Sequence, residues 1–369
     1  MRYYIIAGEA SGDLHGSNLI KKLHLTDEKA TIRCWGGDLM EQAGADLIKH
    51  YRDLAFMGFA EVLIHLRTIW KNFSFCKKDI RRFNPDAVIL IDYPGFNLRM
   101  AKWAHINGYK VIYYISPQIW AWKENRAKLI RQYVDKMLVI LPFEKAFYEK
   151  WDYEVEYVGH PLVEVIKEAQ SRGAGERMAE GKIIALLPGS RKQEVLHKLP
   201  VMLKMTKYFP SYVFVMAQAP HLDDNEIQSM LKDYSNVLIV RNRTYDLLQQ
   251  ATAALVTSGT ATLETALFGV PEIVCYKGSA VSYFLAKRLV NVPYISLVNL
   301  IMNREIVKEL IQNNLNEINL KNELLHILDG EKAQEMKDGY HRLWEKLDEG
   351  DASMKAARSI FTFLNGANT

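Results

Sequence analysis

Cysteine is scarce: the chain has three in 369 residues, Cys34, Cys76 and Cys275, far apart and with no C-x-x-C pair. That usage gives neither a zinc site nor a disulfide framework and indicates a reducing, cytoplasmic setting. No run approaches the ~20 apolar residues that cross a bilayer, and the mean hydropathy is −0.13. The N-terminus enters a strand-like run at once, without basic n-region, apolar h-region or cleavage site, so no signal peptide is expected. Neither sign of charge dominates, since 47 Lys and Arg against 43 Asp and Glu leave +4. Such a mild excess suits an anionic surface or a phosphorylated substrate and falls far short of a nucleic-acid signature. Also missing are G-x-G-x-x-G, G-x-x-x-x-G-K-[ST] and D-x-D. The first two absences exclude the dinucleotide fingerprint and the NTPase loop, and the third leaves no basis for a metal-held diphosphate. No metal and no cofactor is expected.

What is present is a globular composition, 49% hydrophobic and 24% charged, at a length suited to two domains. Short apolar runs, "YYIIA", "DAVILID", "KVIYYIS" and "KMLVIL", then "KIIALLPG", "YVFVMA", "NVLIV", "AALVTSG" and "EIVCY", alternate with helical patterns. Near-continuous apolar strands of this kind form parallel sheets covered by helices on both faces. The fold class expected is α/β, two Rossmann-like domains whose parallel sheets face a central cleft, with C-terminal helices. The junction is placed near residue 160, in "YVGHPLVE". Domains are expected at 1–160, 161–340 and 341–369, the last a helix returning to the first domain. Beyond about residue 300, "REIVKELIQ", "LKNELLHIL" and "MKDGYHRLWEKL" read as amphipathic helices. Ligands of open parallel sheets bind beyond the carboxyl ends of strands, so functional motifs should follow strands.

Several do. "IIAGEASGDLHG", residues 5–16, sets Gly8, Gly12 and Gly16 four apart behind an apolar run. Glu9 and Asp13 repel phosphate yet accept hydrogen bonds from hydroxyls, so with Ser11 they suit an uncharged, hydroxyl-rich guest. The alternative is a glycine turn that only lets a helix approach its strand. "ALVTSGTATLETALFGVP", residues 254–271, is a strand, a small-residue turn and a helix stopped by Gly269 and Pro271. Ser258, Gly259 and Thr260 offer free N–H groups at a helix N-terminus, an anion site. Glu264, one turn in, reads as an acceptor of ribose hydroxyls, because Ala261 rules out a capping box; an ordinary βα unit is the alternative. "IIALLPGSRKQEVLHKLP", residues 183–200, repeats the pattern, with Gly189 and Ser190 in the turn and Arg191 placed as a bidentate cation for phosphate. One cationic turn and one amide-bearing turn suit a nucleoside diphosphate.

"VILIDYPGFNLRMAKWAH", residues 88–105, ends a buried strand on Asp92, a general base for a hydroxyl or a cap of the Pro-Gly turn. After the next strand come Gln118, Trp120 and Trp122, core residues or a sugar-stacking set. His160 in "GHP" reads as a hinge residue. "LAFMGFAEVLIHLRTIWKNF", residues 54–73, is a buried helix or an apolar flap that enters a lipid surface through Phe56, Met57, Phe59, Val62, Leu63 and Trp70, beside Arg67 and Lys71. Lys287 and Arg288 add positive charge.

In order, "AGEASGD", "DYPGFN", "SPQIWAW", "LPFEKAFY", "VGHPL", "LLPGSRKQEV", "SGTATLE" and "SLVNLI" make the chain resemble the bacterial lipid A disaccharide synthase family, inverting glycosyltransferases of the two-domain B architecture (GT-B). The resemblance implies transfer from UDP-2,3-diacylglucosamine to 2,3-diacylglucosamine 1-phosphate (lipid X), giving a β-1′,6 disaccharide 1-phosphate and UDP. By motif it implies Asp92 as catalytic aspartate, Arg191 as an important basic residue of the donor site, Glu264 as ribose contact and Ser258–Thr260 as diphosphate contact. Asn299 matches a family asparagine, with Val298 where the family has proline; Asp38 likewise stands where proline is frequent. The first loop then falls on the acceptor side, with Glu9, Ser11, Asp13, Gln118 and Trp120. Also implied are a peripheral place on the inner face of a Gram-negative inner membrane and a homodimer. Two alternatives stay open: a UDP-N-acetylglucosamine 2-epimerase or soluble-substrate transferase on the same architecture, and a non-catalytic UDP-sugar-binding scaffold at the membrane.

Overall fold

A computed structural model describes residues 1–53, 66–219, 222–278 and 292–366. The chain forms two compact units, Met1–Pro161 with Glu349–Thr369, and Leu162–Asp348. Both are α/β with parallel sheets, the expected class.

The first unit holds β1 (Arg2–Ala7), β2 (Thr31–Gly36), β3 (Asp46–His50), β4 (Ala87–Ile91), β5 (Lys110–Tyr114), β6 (Lys136–Val139) and β7 (Glu156–Tyr157). Their order is β3-β2-β1-β4-β5-β6-β7, and each neighbouring pair is parallel. β1 and β4 run in register from Tyr3 opposite Ala87 to Ala7 opposite Ile91. Helices cover both faces, so these central strands are buried from Tyr3 and Ala87 onward and carry no polar alternation. The last helix, Ala352–Gly366, lies along helix Ala10–Thr26 and buries Ala356, Ala357, Ile360 and Leu364. Lys22 and Asp351 clamp the start of that contact at 2.6 Å.

The second unit holds β8 (Lys182–Leu187), β9 (Tyr212–Gln218), β10 (Val237–Arg241), β11 (Ala251–Thr257), β12 (Glu272–Tyr276) and β13 (Lys308–Ile311), ordered β10-β9-β8-β11-β12-β13. β13 corrects the expectation of a helix over "REIVKELIQ". Pairing of Ile273–Tyr276 with Lys308–Ile311 satisfies the edge of β12, and so short an apolar pattern fits a strand as well as a helix turn. "LKNELLHIL" and "MKDGYHRLWEKL" do lie in helices, Glu317–Leu328 and Gly330–Leu347. The expected boundary at 341 falls inside the second of these. The three cysteines are buried free thiols, and no helix of the described residues is long and apolar enough to cross a membrane.

Candidate active site

Each sheet reverses its strand order once, between β1 and β4 in the first unit and between β8 and β11 in the second. At such a reversal the following helices leave on opposite faces, and the carboxyl ends of the two strands open a crevice. Four sequence motifs sit at these two places. "GEASGD" follows β1, "DYPGFN" follows β4, "PGSR" follows β8 and "SGTATLE" follows β11.

In the first unit, Asp92 and Tyr93 occupy the left-handed region in succession, at φ 43° and 49°. Two non-glycine residues in that region are strained backbone, which surrounding bonds must hold in place. Asn97 does so: its Nδ2 donates to the carbonyls of Ile6 at 3.4 Å, Ile91 at 3.1 Å and Asp92 at 2.9 Å, tying β1 to β4 at the reversal. The Tyr113 hydroxyl donates to the Asp92 carbonyl as well. Burial first, and the nearby Glu9 carboxylate second, push the Asp92 carboxyl up to about 7, opposed by a bond from the Tyr93 N–H. Such a carboxylate is a base matched to neutral pH. Gly8 is glycine because a Cβ there would lie 2.3 Å from the Tyr93 ring. Gly12 would meet Ala7 at 3.0 Å and Gly16 the Met40 sulfur at 2.7 Å, so the glycine spacing serves the approach of the helix to its strand. Glu9 and Ser11 remain exposed beside the turn, and so does Gln118 after β5.

In the second unit, Gly189 has φ 118°, and a Cβ there would stand 3.4 Å from Thr257 Cγ2; the two turns are neighbours. Arg191 opens helix Lys192–Leu203 as its N-cap and is 58% exposed, with Nη1 3.9 Å from Glu194. Ser258 donates to the Ile295 carbonyl at 3.0 Å, leaving the Gly259 and Thr260 amides at the start of helix Thr260–Leu267. Glu264 accepts from the Tyr245 hydroxyl at 2.8 Å, and burial raises its carboxyl above the usual range.

Three expected site residues are corrected. Asp13 is 3% exposed and accepts from the amides of Gly37, Leu39 and Met40, so its carboxylate is bound inside the fold and holds the loop after β2. Trp120 packs edge-on against Phe143, centroids 4.9 Å apart, and is core. Asn299 is fully buried. Its Nδ2 donates to the Val307 carbonyl and Glu309, and its Oδ1 accepts from Ile306 and Val307; both donors and both lone pairs are used. Trp122 is exposed, with Lys123 over its ring, and His160 is buried near His15. Phe56, Met57, Phe59, Val62 and Leu63 lie outside the described residues, as do Lys287 and Arg288. Trp70 is 69% exposed. Sequence reasoning did not pick out Asn97, Tyr113, Tyr245 or Lys198; the first two and Lys198 lay inside quoted segments, where their types alone carried no signal.

Comparison with known proteins bears on this arrangement. A family model described as lipid-A-disaccharide synthetase matches residues 3–361. The lipid-A-disaccharide synthase of Syntrophus aciditrophicus is 40% identical, covering 98% of this chain and 97% of that one. That of Geobacter metallireducens is 38% identical over the same shares. Among solved structures, UDP-GlcNAc 2-epimerase from Neisseria meningitidis bound to UDP-GlcNAc aligns with TM-score 0.69 at 12% identity, covering 99% and 100% of the two chains. A calicheamicin glycosyltransferase aligns with TM-score 0.64 at 15% identity, covering 100% and 99%. At those identities the structural likeness speaks for the fold, whereas the sequence matches run through every motif above, and the chain belongs to the lipid-A-disaccharide synthetase family of glycosyltransferases.

Proposed function

We propose that the chain transfers 2,3-diacylglucosamine from UDP-2,3-diacylglucosamine to the 6-hydroxyl of 2,3-diacylglucosamine 1-phosphate with inversion, releasing UDP. The observation that carries the reading is the placement of the motifs at the two strand-order reversals, one lined by acids and one by a cation and free amides. In a single displacement the acceptor O6 bonds to the donor anomeric carbon as the bond to the diphosphate oxygen breaks. The acceptor proton passes to Asp92, whose raised pKa suits it to that task. The leaving electron pair stays on the diphosphate, met by Arg191 and the amides at Gly259 and Thr260, where each preorganised donor contributes roughly 3–4 kcal/mol. Glu264, steadied by Tyr245, takes the ribose hydroxyls. Glu9, Ser11 and Gln118 face the acceptor sugar.

Acylated substrates place the enzyme at a lipid surface, and helix Leu66–Phe83 supports this: Trp70 and Phe75 are exposed beside Lys71, Lys78, Arg81 and Arg82. Apolar and basic residues together suit an anionic leaflet, the inner face of the inner membrane in this reading. The test is an assay of purified protein with both acylated sugars and a chelator, with UDP-N-acetylglucosamine as control donor. UDP and a tetraacyl disaccharide 1-phosphate in equal amounts are expected. Epimerisation of the control donor, or UDP binding without disaccharide, overturns the reading.

A further inference from the structure

Lys198 carries a buried charge that this reading leaves unused. It sits on the inner face of helix Lys192–Leu203 at 2% exposure, among Val195, Leu199 and Met202. Its ammonium bonds Thr257 Oγ1 and lies 5.7 Å from the centre of the Tyr276 ring. An ammonium is among the costliest groups to bury unless it is paired. Its carboxylate neighbour is Glu194, with Oε2 3.9 Å from Lys198 Nζ and Oε1 3.9 Å from Arg191 Nη1. Neither gap is a hydrogen bond. The same Glu194 Oε2 rests against Gly189, where a Cβ would come within 2.5 Å of it. One carboxylate is thus shared between a cation inside the fold and a guanidinium at the surface.

We propose that Lys198 is a positioning residue for the donor, one that draws Glu194 inward and so keeps Arg191 free to close on a diphosphate, an inference that rests on the donor site proposed above. Arg191 and Glu194 are three apart, a spacing at which opposite charges on a helix pair. With no rival the pair would tighten, and a diphosphate would have to displace the carboxylate before meeting the guanidinium. Lys198 supplies the rival attraction from the low-dielectric side, where a charge acts more strongly. Thr257, the last residue of β11, anchors that ammonium to the strand whose end carries the amide turn.

The groups facing the ammonium are Arg191 and Glu194 on its own helix, Thr257 on β11, and Cys275 and Tyr276 on β12. Burial pushes the Cys275 thiol up to about 12, so it stays neutral. Burial lowers the Lys198 pKa, against the pull of Glu194. Lys198 therefore loses its proton below the ordinary 10.5, and Glu194 is then released to Arg191.

The test is calorimetric titration of UDP into the unaltered protein, Lys198→Met, Glu194→Gln and the double variant. Uridine, which shares the base and lacks phosphate, corrects for titration of the uracil ring. Lys198→Met is expected to weaken UDP about tenfold with uridine unchanged, and Glu194→Gln in that background to restore UDP binding. In the unaltered protein UDP affinity falls on the alkaline side, and Glu194→Gln removes that limb. Unchanged UDP affinity in Lys198→Met, or a loss that Glu194→Gln does not reverse, overturns the proposal; a packing role for Lys198 gives the second result. Should Lys198→Met fail to fold, the alkaline limb and its loss in Glu194→Gln decide by themselves. An unaltered protein that binds no UDP overturns the donor site as well, a result distinct from the others.

Discussion

Asp92 combines an unfavourable backbone with an unfavourable charge, and both follow from its position after β4. Its φ of 43° is one that asparagine adopts more readily than most residues, so Asp92→Asn removes the proposed base while keeping the turn. Steady-state kinetics should show kcat lower by about 10²–10⁴-fold. The unaltered enzyme should gain activity as pH rises through about 7, a limb absent from the variant. Stability moves the other way. A carboxyl whose pKa goes from 3.8 to about 7 on folding favours the folded state while protonated, and that contribution is lost as pH rises through about 7. Thermal unfolding at pH 8 should therefore find Asp92→Asn the more stable protein, with the gap closing as pH falls towards 3.8. The aspartate itself was legible in "VILID" as a charge ending an apolar strand. Its strain and its neighbour Glu9, 83 residues away in the chain, were not, because they arise from β1 and β4 lying side by side.

Among the elements, the segment from Ile295 to Ile311 shows how a motif can serve the fold. Ser296 caps helix Leu297–Met302, and Glu309 accepts from the Ile295 and Ser296 amides and from Asn299. Asn299→Ala would leave buried amides and carbonyls unpaired, at about 1–3 kcal/mol each. Denaturant unfolding should show a loss of about 3 kcal/mol, with UDP affinity retained in the folded protein. Helix Leu66–Phe83 makes the opposite case, since its Trp70 is 69% exposed. Trp70→Ser should leave the unfolding temperature unchanged and lower co-sedimentation with anionic vesicles, most clearly at high salt, where the basic residues beside it are screened. β2, β3, β7 and β13 escaped sequence reasoning because their pairing comes from neighbours in the sheet rather than from their own pattern. Continuous apolar strands such as β1 and β4 were legible, since a parallel strand covered on both faces has little choice of composition.

At the scale of the molecule, the first unit is closed by residues from the far end of the chain. Helix Ala352–Gly366 covers the apolar side of helix Ala10–Thr26 with Ile360 and Leu364 among others. Six of the seven tryptophans, all but Trp344, belong to this unit, so tryptophan fluorescence reports almost only its unfolding. A chain ending after Asp348 should unfold roughly 10 °C lower by that signal, from the loss of two large buried side chains and their neighbours. An unchanged transition would mean that the helix contributes nothing to the unit.

Apolar strand runs determined, from the sequence alone, that this is a parallel α/β protein, because covered parallel strands admit few residue types, and the turns behind them pointed to strand ends as the place of the proposed site. The order of the strands decided which turns meet. Only that meeting separates Asp92, left beside another acid at the reversal, from Asp13, whose carboxylate three backbone amides take up. It likewise leaves Arg191 at the surface, 3.9 Å from Glu194, and saturates Asn299 within. The two aspartates are one residue type, and what differs is how many partners the folded chain brings to each.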